Sequence, residues 1–153
     1  MEQHGIKILQ KNKKAYFNFE IIDTLECGIE LKGSEVKSLR KNAFSFSDSY
    51  IKIDKQDNLI LEGFHISPYT HGTIENHEPT RSRRLLAHAQ EIKRLKRKVA
   101  ERGFTLVPVR VYLKRSMVKV EIALARGKKT HDKRESIKER DLKRDSDRAM
   151  KRY

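Results

Sequence analysis

Val107-Pro108-Val109-Arg110-Val111-Tyr112-Leu113 runs into Lys114-Arg115-Ser116 and then Val118-Lys119-Val120-Glu121-Ile122-Ala123-Leu124. Apolar residues recur at every second position in both runs, which is the period of a pleated strand, and only a short turn separates them. The spacing predicts a hairpin with one dry face, held in register by apolar pairs across the two strands.

Working back toward the N-terminus, Tyr16-Phe17-Asn18-Phe19-Glu20-Ile21-Ile22 places Phe17, Phe19 and Ile21 at period two and reads as a half-buried strand. Leu25 to Leu31 alternates again, with Gly28 where a barrel would bend or let another backbone approach. Gly33-Ser34 ends that run. Ser34 is placed to cap a short helix, Glu35 to Arg40, with its acid in the first turn and its base in the last. Tyr50–Ile53 and Leu59–Phe64 flank the turn formers Asp54 to Asn58 as a second hairpin. Residues 67–80 form a loop longer than connection requires, rich in ring-bearing and amide side chains, as ligand-touching loops often are. A helix follows from about Arg81 to Arg102, with Leu85, Ala89, Ile92, Leu95 and Val99 on one stripe and Gly103 at its stop.

The 153 residues suit one domain with a tail: a body over 1–126 and a basic extension over 127–153. Beyond Gly127 only Ile137, Leu142, Ala149, Met150 and Tyr153 are apolar, too few for burial to offset the cost of ordering. The tail is therefore expected to be disordered when free. It nonetheless has helical charge spacing, with Glu139 and Lys143 at i,i+4, and Glu135 with Lys138 and Asp141 with Arg144 at i,i+3, so helix on binding is accessible.

Lys and Arg number 35 against 21 acids, a formal charge of +14 with pI near 10.0, which calls for a polyanionic partner. Basic residues at Arg81, Arg83 and Arg84, rings at Tyr69, His71 and His77, and a further basic set at Arg126, Lys128 and Lys129 supply both charge and stacking surface. That combination favours nucleic acid over a membrane surface, for which no leftover apolar face is evident. No apolar run approaches membrane-spanning length, Met1 to Gly5 leads into no signal-like segment, and Cys27 is the single cysteine, so a cytoplasmic, reducing location is expected. Cys27 itself reads as packing.

Enzyme signatures are missing: there is no P-loop, GxGxxG, GxSxG or HExxH, and His77-Glu78 has Arg81 where the second histidine of the last would stand. His65, His71, His77 and His88 match no common metal spacing, and the acids Glu20, Asp23, Glu26 and Glu30 do not share one strand face as a nuclease cluster would. The expectation is a non-enzyme without cofactor or metal. The competing readings are a ribosomal or RNA-chaperone protein of similar barrel type and a metal-dependent nuclease.

Five blocks carry a family resemblance: Asn12-Lys13-Lys14-Ala15; Gly28 through Arg40; Ser47-Asp48-Ser49-Tyr50; Pro79 through Leu86; and Gly127 through Arg134. In this order and at these separations the chain resembles the small protein B family, the tmRNA-binding proteins of bacteria. The resemblance implies a mainly β fold with helices: an OB-like antiparallel β-barrel with flanking helices, bound to the tRNA-like domain of tmRNA. It implies trans-translation without catalysis, in which the complex, delivered with elongation factor Tu, enters a stalled ribosome and a degradation tag is added. A monomer is expected. By similarity, the RNA-contacting acid falls on Glu26, the apolar contact on Leu86 and the basic contact on Lys119. The same similarity puts Lys128, Lys129, His131, Asp132, Lys133 and Arg134 against the decoding region of small-subunit ribosomal RNA, with the tail in the empty mRNA channel. Ala87 and His88 depart from the larger apolar residue and the Asn that relatives often carry there.

Overall fold

The computed structural model describes residues 5–71, 75–101, 103–128 and 130–151, with backbone alone for 130–132, 136 and 145–151. Its strands are β1 (Ile6–Lys11), β2 (Phe19–Ile29), β3 (Phe44–Ser45), β4 (Tyr50–Ile53), β5 (Leu59–Glu62), β6 (His65–Ile66), β7 (Arg83–Leu86), β8 (Phe104–Lys114) and β9 (Met117–Gly127). The helices are α1 (Lys13–Asn18), α2 (Gly33–Arg40), α3 (Ala89–Val99) and α4 (Thr130–Lys151).

The β8–β9 hairpin forms as expected and is longer, paired from Phe104↔Arg126 to Lys114↔Met117. That pairing leaves Arg115 and Ser116 as a two-residue loop with φ of 50° and 69°. Positive φ at both central positions gives the turn whose twist matches the strands it joins, a geometry usually assigned to Asn-Gly. From this hairpin an antiparallel OB-like barrel closes in the order β8-β4-β5-β7-β2-β9, and β1 adds to the free end of β8. The second expected hairpin is β4–β5, from Tyr50↔Glu62 to Ile53↔Leu59.

Inside the barrel, Cys27, Leu59, Leu61, Leu85, Leu106, Val111, Val120, Ile122 and Leu124 form the core. Phe44, Phe46 and Phe64 join it as an aromatic trio with ring centroids 5.6–6.1 Å apart. The expectation of one dry face on the hairpin needs correction. A second cluster on its outer side gathers Val107, Val109, Ala123 and Ala125 beneath Ala15 of α1, so part of the hairpin is dry on both faces. The small side chains of Ala123 and Ala125 let the helix lie close.

Three local expectations also change. The strand expected over 16–22 begins only at Phe19, because Asn12 starts a helix: its side-chain oxygen accepts the Ala15 N–H at 3.2 Å while its amide donates to the Pro108 carbonyl at 2.8 Å. Once started, β2 continues without a turn to Ile29 and absorbs an irregularity between Ile21 and Asp23. Ser34 does not cap α2, which begins at Gly33, two residues before the expected Glu35. The Lys32 N–H donates to Glu35 at 2.8 Å, and the Ser34 hydroxyl is buried against His77.

The helix expected over 81–102 spans Ala89–Val99 alone, because Arg83–Leu86 is strand β7. Leu85 keeps its place in the core from that strand, and Ile92 and Leu95 bury the helix stripe as expected. The tail, expected to be disordered when free and to gain helix on binding, runs as the helix α4, while Ile137 and Leu142, two of its few apolar residues, stay exposed. Its described side chains are largely exposed, and it meets the body at α1, where the Arg140 guanidinium lies 5.4 Å from the Phe17 ring centroid.

Candidate nucleic-acid interface

Register across four neighbouring strands assembles the site. Leu86 of β7 lies opposite Gly28 of β2, Gly28 opposite Lys119 of β9, and Lys119 opposite Tyr112 of β8. The next row on the same outer face is Glu26, Glu121 and Arg110. Glu26, Leu86 and Lys119, distant in sequence, thus share one patch. Gly28 makes it flat: a Cβ built there would stand 3.3 Å from the Leu86 Cβ, so the missing side chain lets Leu86 lie across β2. Leu86 remains 44% exposed, a large apolar residue kept at the surface. Beside it a shallow groove of ≈ 380 Å³ runs between Leu31, Val36, Met117 and Lys119.

The charges on this face are ordered. Tyr112 donates its hydroxyl to Glu26 in a very short hydrogen bond, and Lys114 approaches the other carboxylate oxygen at 3.3 Å. The Tyr112 hydrogen bond, with the Lys114 ammonium, outweighs desolvation and holds the Glu26 carboxyl below its usual range. Glu121, directly across the ladder from Glu26, is clamped by both arms of Arg110 at 3.0 and 2.8 Å. The Arg110 guanidinium also lies 5.2 Å from the Tyr112 ring centroid. Tyr112, Arg110 and Glu121 were not among the expected site residues. Their signal was present in the period-two polar positions Arg110, Tyr112 and Lys114 of the outward hairpin face.

The arginine triplet divides. Arg84 is half-exposed, 3.6 Å from Glu30, and stays available to an anion. Arg81 is 26% exposed and donates to Glu35 at 2.6 and 3.1 Å. Arg83 has no exposed side-chain surface, which corrects its assignment as an RNA contact. It is bound to Glu35 at 2.5 Å, to the Phe64 carbonyl at 2.7 Å and to the Pro79 carbonyl at 3.0 Å. Burial alone would raise the Glu35 carboxyl, but hydrogen bonds from Arg81, the Lys32 N–H and Arg83 override it and hold it low. His77 is likewise interior rather than a stacking ring. Its Nε2 donates to the Ile66 carbonyl at 2.9 Å, which leaves Nδ1 to accept from Ser34 at 2.8 Å. Tyr69 and His71 stay together in the loop, edge to face at 5.6 Å, with the Lys37 and Lys41 ammonium groups 5.4 and 5.8 Å from the Tyr69 ring centroid.

In the tail, the Lys128 N–H donates to the Asn18 carbonyl at 2.9 Å, and Lys133 lines a ≈ 480 Å³ cleft with Asn12, Lys14 and Asp48. Arg134 is exposed. His131 and Asp132 lie in the first turn of α4, described by backbone, and Lys129 lies outside the described residues. Cys27 is fully buried, and burial pushes its thiol up to about 12, the behaviour of a packing residue. Among the described residues no group of three His, Cys, Asp or Glu side chains is placed to hold a metal, and no helix is long and apolar enough to cross a membrane. His88 stands at the N-cap of α3, where its N–H donates to Glu91 at 3.3 Å, and Ala87 packs against the core.

The family model described as SmpB protein matches residues 9–152. The chain is 50% identical over 151 residues to an SsrA-binding protein of Treponema denticola, covering 99% of this chain and 97% of that protein. It is 53% identical over 150 residues to an SsrA-binding protein of Trichodesmium erythraeum, covering 97% and 96%. A solved chain described as "tmRNA-SmpB: a journey to the center of the bacterial ribosome" is 41% identical with a TM-score of 0.69, covering 85% of this chain and 94% of that one.

Proposed function

The chain belongs to the SmpB protein family, and on that premise we propose that it binds SsrA RNA, the tmRNA, through its tRNA-like domain and carries it to stalled ribosomes for trans-translation. The convergence of Glu26, Leu86 and Lys119 on adjacent strands of one outer face carries this reading. Each supplies a different interaction. Lys119 attracts backbone phosphate, and Leu86 offers an apolar plane to an unstacked base. Glu26 accepts hydrogen bonds from base-edge N–H groups or ribose hydroxyls, which phosphate-seeking cations cannot do. Arg84 and Arg81 extend the positive rim.

The protein acts as a scaffold that completes a tRNA-shaped surface, as a cytoplasmic monomer without catalysis of its own, delivered together with elongation factor Tu. Its tail, from Lys128 through Arg134 and on along α4, enters the decoding region and the empty mRNA channel. The sparse burial along α4 supports a segment free to exchange its contacts with α1 for ribosomal phosphates.

The test is titration of the tRNA-like domain with wild type, Glu26→Ala and Lys119→Ala at several salt concentrations, with folding followed by circular dichroism. Both variants should stay folded and bind at least several-fold more weakly, and the salt slope should flatten by about one unit for Lys119→Ala alone. Unchanged affinity in both would remove this face from the RNA site.

A further inference from the structure

Glu26 is an acid in a protein of net charge +14, on a face meant for a polyanion. Its usefulness depends on where its oxygens point and on its staying ionised. The surroundings provide for both. From β8, Tyr112 donates to Oε1, and the Lys114 ammonium lies 3.3 Å from Oε2. From β9, Lys119 lies beside Glu26, and the opposing Glu121 is neutralised by the bidentate Arg110. From β7 the neighbour is the uncharged Leu86. A carboxylate offers about four acceptor positions. Tyr112 engages Oε1 and Lys114 reaches both oxygens, at 3.5 Å to Oε1 and 3.3 Å to Oε2, and the Glu26 side chain is still 37% exposed, so acceptor capacity is left on Oε2 facing solvent.

Tyr112 is itself held. Only 4% of it is exposed, and the Arg110 guanidinium stacks near its ring. Burial and the Glu26 hydrogen bond both raise its phenol, so it remains a donor throughout the physiological range. We propose that Tyr112 is a positioning residue for RNA recognition, its hydroxyl fixing the Glu26 carboxylate in the one rotamer that presents its free lone pairs to N–H or O–H donors of the RNA. Tyr112 touches no RNA in this scheme and acts only through Glu26. The inference rests on the reading of this face as the RNA site.

The experiment measures affinity of the full chain for the tRNA-like domain by fluorescence anisotropy, from about pH 8 to about pH 4, a span that reaches into the ordinary carboxylate range. It compares wild type, Tyr112→Phe, Glu26→Gln and the double variant. Tyr112→Phe keeps the ring and should bind about three- to tenfold more weakly, the factor expected from freeing one rotamer-rich side chain. Its deficit relative to wild type should widen toward low pH as the released carboxyl titrates higher, and it should add nothing in the Glu26→Gln background. A pH-independent deficit, a deficit additive with Glu26→Gln, or no deficit where Glu26→Gln has one would overturn the positioning role and leave the RNA face standing. No effect of Glu26→Gln itself would overturn the RNA face, and the positioning role with it. A carbon-13 titration of the Glu26 carboxyl in free protein is an independent readout, expected to move up in Tyr112→Phe. Placing 3-fluorotyrosine at 112, which retains the fold-bearing ring and strengthens the donor, should move it down. An unmoved carboxyl in either would also overturn the proposal.

Discussion

Replacing Glu35 by Gln removes one negative charge and almost no volume, yet it should rank among the most destabilising single changes in the body. The Glu35 side chain has no exposed surface and accepts from Arg83 at 2.5 Å, Arg81 at 2.6 and 3.1 Å and the Lys32 N–H at 2.8 Å. The amide keeps one acceptor but turns N–H toward a guanidinium. Removing one member of a buried ion pair costs about 3–5 kcal/mol, because the other charge is left uncompensated. Arg83 retains the Phe64 and Pro79 carbonyls, which places Glu35→Gln near the lower end, about 3 kcal/mol. Urea unfolding followed by circular dichroism should report an unchanged slope and a lower midpoint, and heating should report a melting temperature roughly 6–12 °C lower.

The pH dependence gives a second check on the same residue. The folded carboxyl is held below its unfolded value of about 4.3, so its contribution is complete above that value and disappears as pH falls through the folded value. The stability gap between wild type and Glu35→Gln should therefore begin to narrow below about pH 4 and close only as pH falls through the lower folded value. A gap under about 1 kcal/mol at neutral pH, or one that widened on acidification, would refute the argument that this triad anchors β7 beside α2.

Two further outcomes follow from the geometry. Substituting Arg115→Asn together with Ser116→Gly puts residues tolerant of positive φ at 50° and 69°, and should raise stability by about 1–2 kcal/mol by thermal melting, whereas a lower melting temperature would contradict the turn assignment. Ending the chain after Gly127 should leave binding of the tRNA-like domain largely intact while abolishing peptide tagging in a reconstituted stalled-ribosome assay, and retained tagging would exclude the channel role of the tail.

Legibility in the sequence followed how local each determinant is. The β8–β9 and β4–β5 hairpins were readable because period-two patterning is local, and for β4–β5 so are the turn formers Asp54 to Asn58. The β7 strand was not. Its four residues Arg83–Leu86 end two residues before a true helix begins, and Leu85 happens to fall in phase with that helix's stripe. The fate of Arg83 was also hidden, since its partner Glu35 is 48 positions away and nothing nearby marks a cation as interior. Glu26, Leu86 and Lys119 were reached through family resemblance, and period alone gave only the outward direction of two of them. Tyr112 escaped notice because an outward tyrosine on a hairpin looks ordinary until the carboxylate across two strands is seen.

The helix α4 holds 22 residues without proline or glycine, which at about 1.5 Å per residue makes a rod about 33 Å long. Its root follows the Lys128–Asn18 hydrogen bond, which ties the chain to the last residue of α1. Because α4 rests on α1 through Arg140 and Phe17, the part free to swing is residues 141–151, roughly 16 Å long, and each degree of rotation there sweeps the far end through roughly 0.3 Å. A small tilt of α4 on α1 is therefore read out as a larger displacement at the tip, so a probe at the end of α4 would register changes in the α1 contact that are too small to see there directly.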